Sequence, residues 1–123
     1  TKFKQINKIK PRKGQFVVLD KAAARELKTI ILPVPNEVTK GIVICPTAFG
    51  NILIGPTAEE QNDRLRATVE HQTLQTSVAH GTKIVPGLAH LPVTAVYAGL
   101  RPASDKKEYR VINRAASNAI TLG

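Results

Sequence analysis

Short apolar runs separated by proline- and glycine-rich breaks organise most of this chain. Residues 14–20 carry Phe16, Val17, Val18 and Leu19 together, which predicts a strand. Pro11, Arg12 and Lys13 precede it and read as turn material. Residues 21–27 favour a helix but are few. Residues 29–32 predict a second strand, cut by Pro33 and Pro35, with a loop over 36–40. Residues 41–47 and 51–57 predict a hairpin around Ala48, Phe49 and Gly50, where Gly50 can adopt a positive φ. Both arms are nearly continuous in Ile, Leu and Val, which predicts cover on both faces, with Leu53 central in the second arm.

The pattern then changes period. Residues 58–66 are polar, with mixed charges, and predict a surface crossover. Thr68 is placed to cap a helix running to about Val85. Its apolar stripe is Leu74, Val78 and Val85, with Gly81 and Thr82 filling the turn between, and Pro86-Gly87 ends it. Residues 93–100 predict a strand ending at Arg101 and Pro102. A charged turn over 104–108, a half-exposed strand over 109–114 and a last strand over 118–122 complete the chain. There is no internal repeat. Successive strands with one long helix predict an α+β domain: a mainly antiparallel sheet with helices on one face, spanning residues 1–123 as one unit.

Composition narrows the class. Of 123 residues, 42% are hydrophobic and 22% charged, which is globular. With three Phe, two Tyr and no Trp, the core must be aliphatic. The single Cys45 excludes an internal disulfide and reads as a small apolar strand residue. No apolar run is long enough to span a bilayer. His71 and His80 lie nine apart on the helix and face different sides, and His90 falls in a loop, so a metal site is not expected. Gly50 and Gly55 have the spacing of a phosphate-binding P-loop, but Pro56 stands where that loop needs lysine.

Charge and one arginine carry the candidate chemistry. The formal net charge is +9, from 18 Lys and Arg against 9 Asp and Glu, with Lys2, Lys4, Lys8, Lys10, Arg12 and Lys13 clustered at the start. Such a segment suits nucleic acid or an acidic partner. No nucleic-acid motif and no aromatic row accompany it, so it reads as a solvated stretch. In 95–102, Ala-Val-Tyr-Ala-Gly-Leu-Arg-Pro, Arg101 presents a planar, permanently charged fork suited to a carboxylate or a phosphate. Gly99 permits close approach of a ligand or a second backbone.

Gly99-Leu100-Arg101-Pro102 follows Pro46-Thr47-Ala48-Phe49-Gly50-Asn51 and Gly55-Pro56-Thr57-Ala58. This order and spacing resemble the middle part of FAD-dependent oxidoreductases of the D-amino-acid oxidase superfamily. The nearest likeness is to their glycerol-3-phosphate dehydrogenase and L-2-hydroxyglutarate oxidase branch. The resemblance implies a substrate domain excised from a larger flavoenzyme. The dinucleotide-binding half is absent, because none of the eight glycines forms G-x-G-x-x-G. FAD is then the cofactor of the full-length protein and is not expected to bind this chain alone. The implied reaction is oxidation of a small anionic hydroxy substrate, glycerol 3-phosphate or a 2-hydroxy acid, with the flavin taking the hydride.

The resemblance assigns the anion grip to Arg101. It makes Tyr97, Arg12 and Lys13 candidate substrate contacts, and with them Thr47, Phe49 and Asn51 around the hairpin loop. It leaves the catalytic base unassigned, because relatives carry histidine where this chain has Phe16 and Phe49. The implied partners are the substrate and the FAD-binding domain of the same parent chain, without nucleic acid. The implied setting is cytoplasmic, and peripheral association of the parent with the membrane's inner face is compatible with it. The competing class is a non-enzymatic basic module that binds nucleic acid or an acidic partner.

Overall fold

A computed structural model describes residues 8–34, 41–105, 108–109, 111–114, 116 and 119–122. Its organising element is β1 (Ile9–Leu19), which pairs antiparallel along one side with β5 (Val93–Ser104). Along its other side it pairs with β3 (Ile52–Gly55) and with β4 (Glu59–Glu60). β2 (Val43–Pro46) flanks β3 as the predicted hairpin, and Gly50 in its turn has φ +86°. A second sheet consists of β6 (Val111–Arg114) and β7 (Ala119–Leu122). The α+β expectation is met by one antiparallel five-stranded sheet and one α-helix, α1 (His71–Ile84), packed on β1 and β3.

Strand alternation explains the core. Odd positions of β1 point toward the helix, and Val17 and Leu19 there are fully buried with Ile44, Ile52 and Ile54 of the hairpin. Ala23, Leu27, Leu74 and Leu88 complete the cluster. Ala23 belongs to a 3-10 helix (Lys21–Arg25) capped by Asp20, whose side chain accepts from the Ala22 amide. On α1 the buried positions are Leu74, Ser77 and Gly81, while Val78 on the same helix and Val85 at its C-cap are partly buried. Gly81 serves contact: a Cβ there would lie 3.0 Å from Ile54 Cδ1.

Several expectations are corrected. Pro11, Arg12 and Lys13 are strand, not a solvated turn, and β5 runs through Arg101 and Pro102 to Ser104. Pro11 and Pro102 face each other in the ladder. The Pro11 carbonyl accepts the Gln61 amide on the β4 side, so this is a pair whose amide positions point away from each other. Neither missing N–H interrupts the ladder. The strand expected over 29–32 is a single bridge, Ile31 with Ile44. The crossover over 58–66 contains β4, drawn onto β1 by charge.

Other expectations change as well. α1 starts at His71, not Thr68, and Glu70 takes the N-cap position without a side-chain cap bond. The hairpin is not sealed on both faces: Val43, Cys45 and Leu53 are half-buried. Tyr109, expected to open a strand, is not part of β6, and β7 matches the last expected strand over its described residues, while residues 106–107, Arg110 and Asn118 of the expected turn and strands lie outside the described residues.

Candidate functional site

The face of β1 and β5 away from the helix carries the candidate residues. Register places Arg12 opposite Arg101, Gly14 opposite Gly99, and Phe16 opposite Tyr97. Paired residues share a face, so these six form two parallel rows. The Phe16 and Tyr97 rings stack with centroids 4.7 Å apart and planes at 13°. At Gly99 a Cβ would meet nothing within 4 Å. The result is a notch over Gly99, with the stacked Phe16 and Tyr97 rings on one side and Arg101 on the other, while Gly14 beside it is buried under Pro56 and the Thr57 carbonyl. Arg101 is therefore not at a strand end, as its proline suggests, but inside the ladder with its side chain exposed.

Two arginines directly opposed repel, and each is drawn aside. Arg12 pairs with Glu60 at 3.3 Å on the exposed rim. Arg101 Nη2 donates to the Thr57 carbonyl at 3.1 Å. Among the described residues Arg101 has no carboxylate partner, so its charge remains available to an anion. Lys8, Lys10, Arg12 and Arg101 line a cleft of about 800 Å³, with Pro56, Glu60 and Asp105 on its walls.

Lys13 is one step along β1 and so on the helix face, only 4% exposed. Its Nζ donates to Glu70 at 2.6 Å and lies 3.4 Å from Glu59. Both carboxylates hold it away from the notch. Beside it the fully buried Gln15 donates through Nε2 to Glu59 at 2.7 Å and accepts the Glu70 amide at 2.7 Å. Sequence reading missed Gln15, Glu59 and Glu70. The available signal was the period-two continuation from Leu19 and Val17 through Gln15 to Lys13.

Thr47, Phe49 and Asn51 cluster at the far end of β1. The Asn51 side chain donates to the Leu19 carbonyl and its amide to the Thr47 hydroxyl, at 3.0 and 3.1 Å. Phe49 is 81% exposed at the turn. Seven residues of strand, roughly 24 Å at ~3.4 Å each, separate this end from Arg12. The structure thus places Arg12, Arg101 and Tyr97 on one face of the sheet and leaves the turn residues apart from them.

The Lys13 network predicts a pH window. The hydrogen bond to Glu70 raises the Lys13 amine above its ordinary 10.5, against the opposing effect of burial and with help from the Glu59 charge. Burial pushes Glu59 up, but hydrogen bonds from Thr57 and Gln15 and the charge of Lys13 hold it below its ordinary 4.5. The Lys13 contribution is complete below the unfolded value and is lost as pH rises through the raised one. The Glu59 contribution is complete above its unfolded value and is lost as pH falls through the lowered one. Urea midpoints of the parent chain and Lys13→Met should therefore differ most between about pH 4.5 and 10.5. The difference should narrow on both sides. A pH-independent difference contradicts the network.

A dinucleotide cradle needs a parallel strand–loop–helix unit with closely spaced glycines. The described strands pair antiparallel throughout, and no described strand runs into a glycine-rich helix start. These residues do not fit the FAD phosphates. No described helix is long and apolar enough to cross a membrane.

Comparison with known proteins gives a consistent result. A family profile described as FAD dependent oxidoreductase matches residues 2–122. A glycerol 3-phosphate dehydrogenase of Caloramator mitchellensis is 31% identical over 99 residues, covering 80% of this chain and 21% of that protein. A glycerol 3-phosphate oxidase of Mycoplasma genitalium is 32% identical over 117 residues, covering 94% and 29%. The corresponding oxidase of Mycoplasma pneumoniae is 32% identical over 110 residues, covering 87% and 28%. The chain thus spans less than a third of the length of these relatives.

Proposed function

This chain belongs to the FAD-dependent oxidoreductase family, and from that premise we propose that it forms the anion-gripping wall of a flavoenzyme's substrate site. The substrate is a small anionic hydroxy compound, with glycerol 3-phosphate first because the relatives are named for it. The observation that carries this reading is Arg101: an exposed guanidinium with no carboxylate partner among the described residues, beside the open space over Gly99. A positive group in that position holds one end of the substrate and so fixes the orientation of the other. Arg12, already engaged with Glu60, adds positive potential at the rim. Phe16 and Tyr97 provide an apolar wall against which a short carbon chain packs. Tyr97 also carries a phenol hydroxyl that can donate to a substrate oxygen.

FAD, which supplies the oxidising chemistry of this family, is held by a domain other than these residues. Lys13 is assigned to the framework under the notch, not to the substrate. The family match supports this reading over a basic module for nucleic acid.

Arg101→Lys in the flavin-containing polypeptide tests the grip. Lysine keeps the charge and loses the two-pronged geometry. We expect kcat/KM for glycerol 3-phosphate to fall by the equivalent of about 1–3 kcal/mol, with the melting temperature unchanged. Unchanged kcat/KM removes Arg101 from the site.

A further inference from the structure

We propose that Thr57 is the positioning residue for Arg101, fixing the direction of its guanidinium from behind. This rests on the reading of Arg101 as the anion grip. An exposed arginine on a sheet face has many rotamers and would ordinarily sweep them. Here one nitrogen, Nη2, is tied to the Thr57 carbonyl at 3.1 Å.

Thr57 is itself held on both sides. Its amide donates to the Gln15 carbonyl at 3.1 Å, and its hydroxyl accepts the Gln15 amide at 3.0 Å. The same hydroxyl donates to Glu59 at 2.6 Å. Glu59 is fixed in turn by the buried Gln15 side chain and by Lys13. So the polar row on the helix face reaches around the sheet edge, through residue 57, to the notch on the other face.

Gly14 makes the approach feasible. A Cβ at position 14 would lie 3.0 Å from Pro56 Cβ, 3.3 Å from the Thr57 carbonyl oxygen and 3.6 Å from Arg101 Nη2. Three groups converge on the space that this glycine leaves. The acceptor chosen is informative. A carboxylate would hold the guanidinium and also neutralise it. A backbone carbonyl holds it and leaves the positive charge, and four of its five N–H donors, for a ligand. The strap therefore aims the fork without competing for the anion.

The full chain, labelled with ¹⁵N, tests this directly. The Arg101 side-chain signals are assigned by their loss in Arg101→Lys, and rotation about its Nε–Cζ bond is measured in the free protein. Thr57→Val keeps the shape and removes the hydroxyl; Thr57→Ser keeps the hydroxyl. We expect Thr57→Val to speed the rotation about fivefold, the scale of one hydrogen bond, and Thr57→Ser to stay within about twofold. Affinity for glycerol 3-phosphate, titrated beside inorganic phosphate, should weaken by the same factor in Thr57→Val and recover in Thr57→Ser.

A lowered melting temperature in Thr57→Val with Arg101 rotation unchanged overturns the proposal, because Thr57 is then only structural. If Thr57→Val does not fold, Gly14→Ala takes its place, since its methyl group displaces the same strap; unchanged rotation there overturns the proposal equally. Rotation that responds to residue 57 in a chain that binds neither anion supports the positioning and overturns the anion-grip reading alone.

Discussion

Ile54→Ala should lower the unfolding free energy by about 2–5 kcal/mol, the range for emptying a fully buried aliphatic site. Ile54 has no solvent exposure and sits in β3 between the core residues of β1 and β2, with its Cδ1 directed at Gly81 of α1. Removing it opens a cavity where sheet and helix meet, and Gly81 has no side chain to fill the gap. Its neighbour Leu53 points to the opposite, half-buried face. Leu53→Ala should therefore cost clearly less, and the exposed helix change Gln75→Ala should stay within about 0.5 kcal/mol. Urea unfolding of the three variants beside the parent gives the ranking. If Leu53→Ala matches Ile54→Ala, the hairpin is covered on both faces after all and the burial assigned to β3 is wrong.

Gly55→Ala should be as damaging, by about 2–6 kcal/mol when backbone strain and overpacking are added. The residue has φ +146°, where side chains are rarely tolerated. A Cβ there would lie 2.7 Å from the Gln15 carbonyl oxygen and 2.8 Å from Phe16 Cδ1. The first of these is main chain of the central strand and cannot rotate away. The Gln15 carbonyl also anchors the Thr57 amide, so the same substitution should loosen the strap behind Arg101. Gly99→Ala is the contrasting case, with open space at the added methyl. Melting curves should show a large loss for Gly55→Ala and a small one for Gly99→Ala. Equal losses would mean that the crowding at Gly55 relaxes freely.

The two glycines differ in a way that sequence does not display. Both lie in strands rich in Val, Ile and Leu. What distinguishes them is the segment that crosses nearby: Gln15 and Phe16 crowd Gly55, while nothing crosses Gly99. Arg101 shows the same limit. Its neighbour Pro102 signals the end of a strand, since proline lacks a ladder donor. The strand continues because register puts Pro102 opposite Pro11, at a pair where no donor is needed. Register depends on two segments about ninety residues apart, and no local window contains it.

Local pattern determined the aliphatic core, the hairpin with its turn at Gly50, the helix before Pro86 and the α+β class. Each follows from side-chain period or from a backbone preference of one or two residues. The glycine and arginine motifs likewise carry the likeness to the family. Tertiary structure alone decided that Lys13 is buried under the sheet while Arg12 is at the rim, although the two are adjacent in sequence. Alternation sends neighbouring side chains to opposite faces, but only the position of α1 determines which face is covered. It also decided that Glu59 and Glu70 close on Lys13, that Thr57 reaches Arg101, and that the Thr47–Asn51 turn lies at the far end. These are contacts between distant segments, whose energies depend on the whole packing arrangement and on no single stretch of chain.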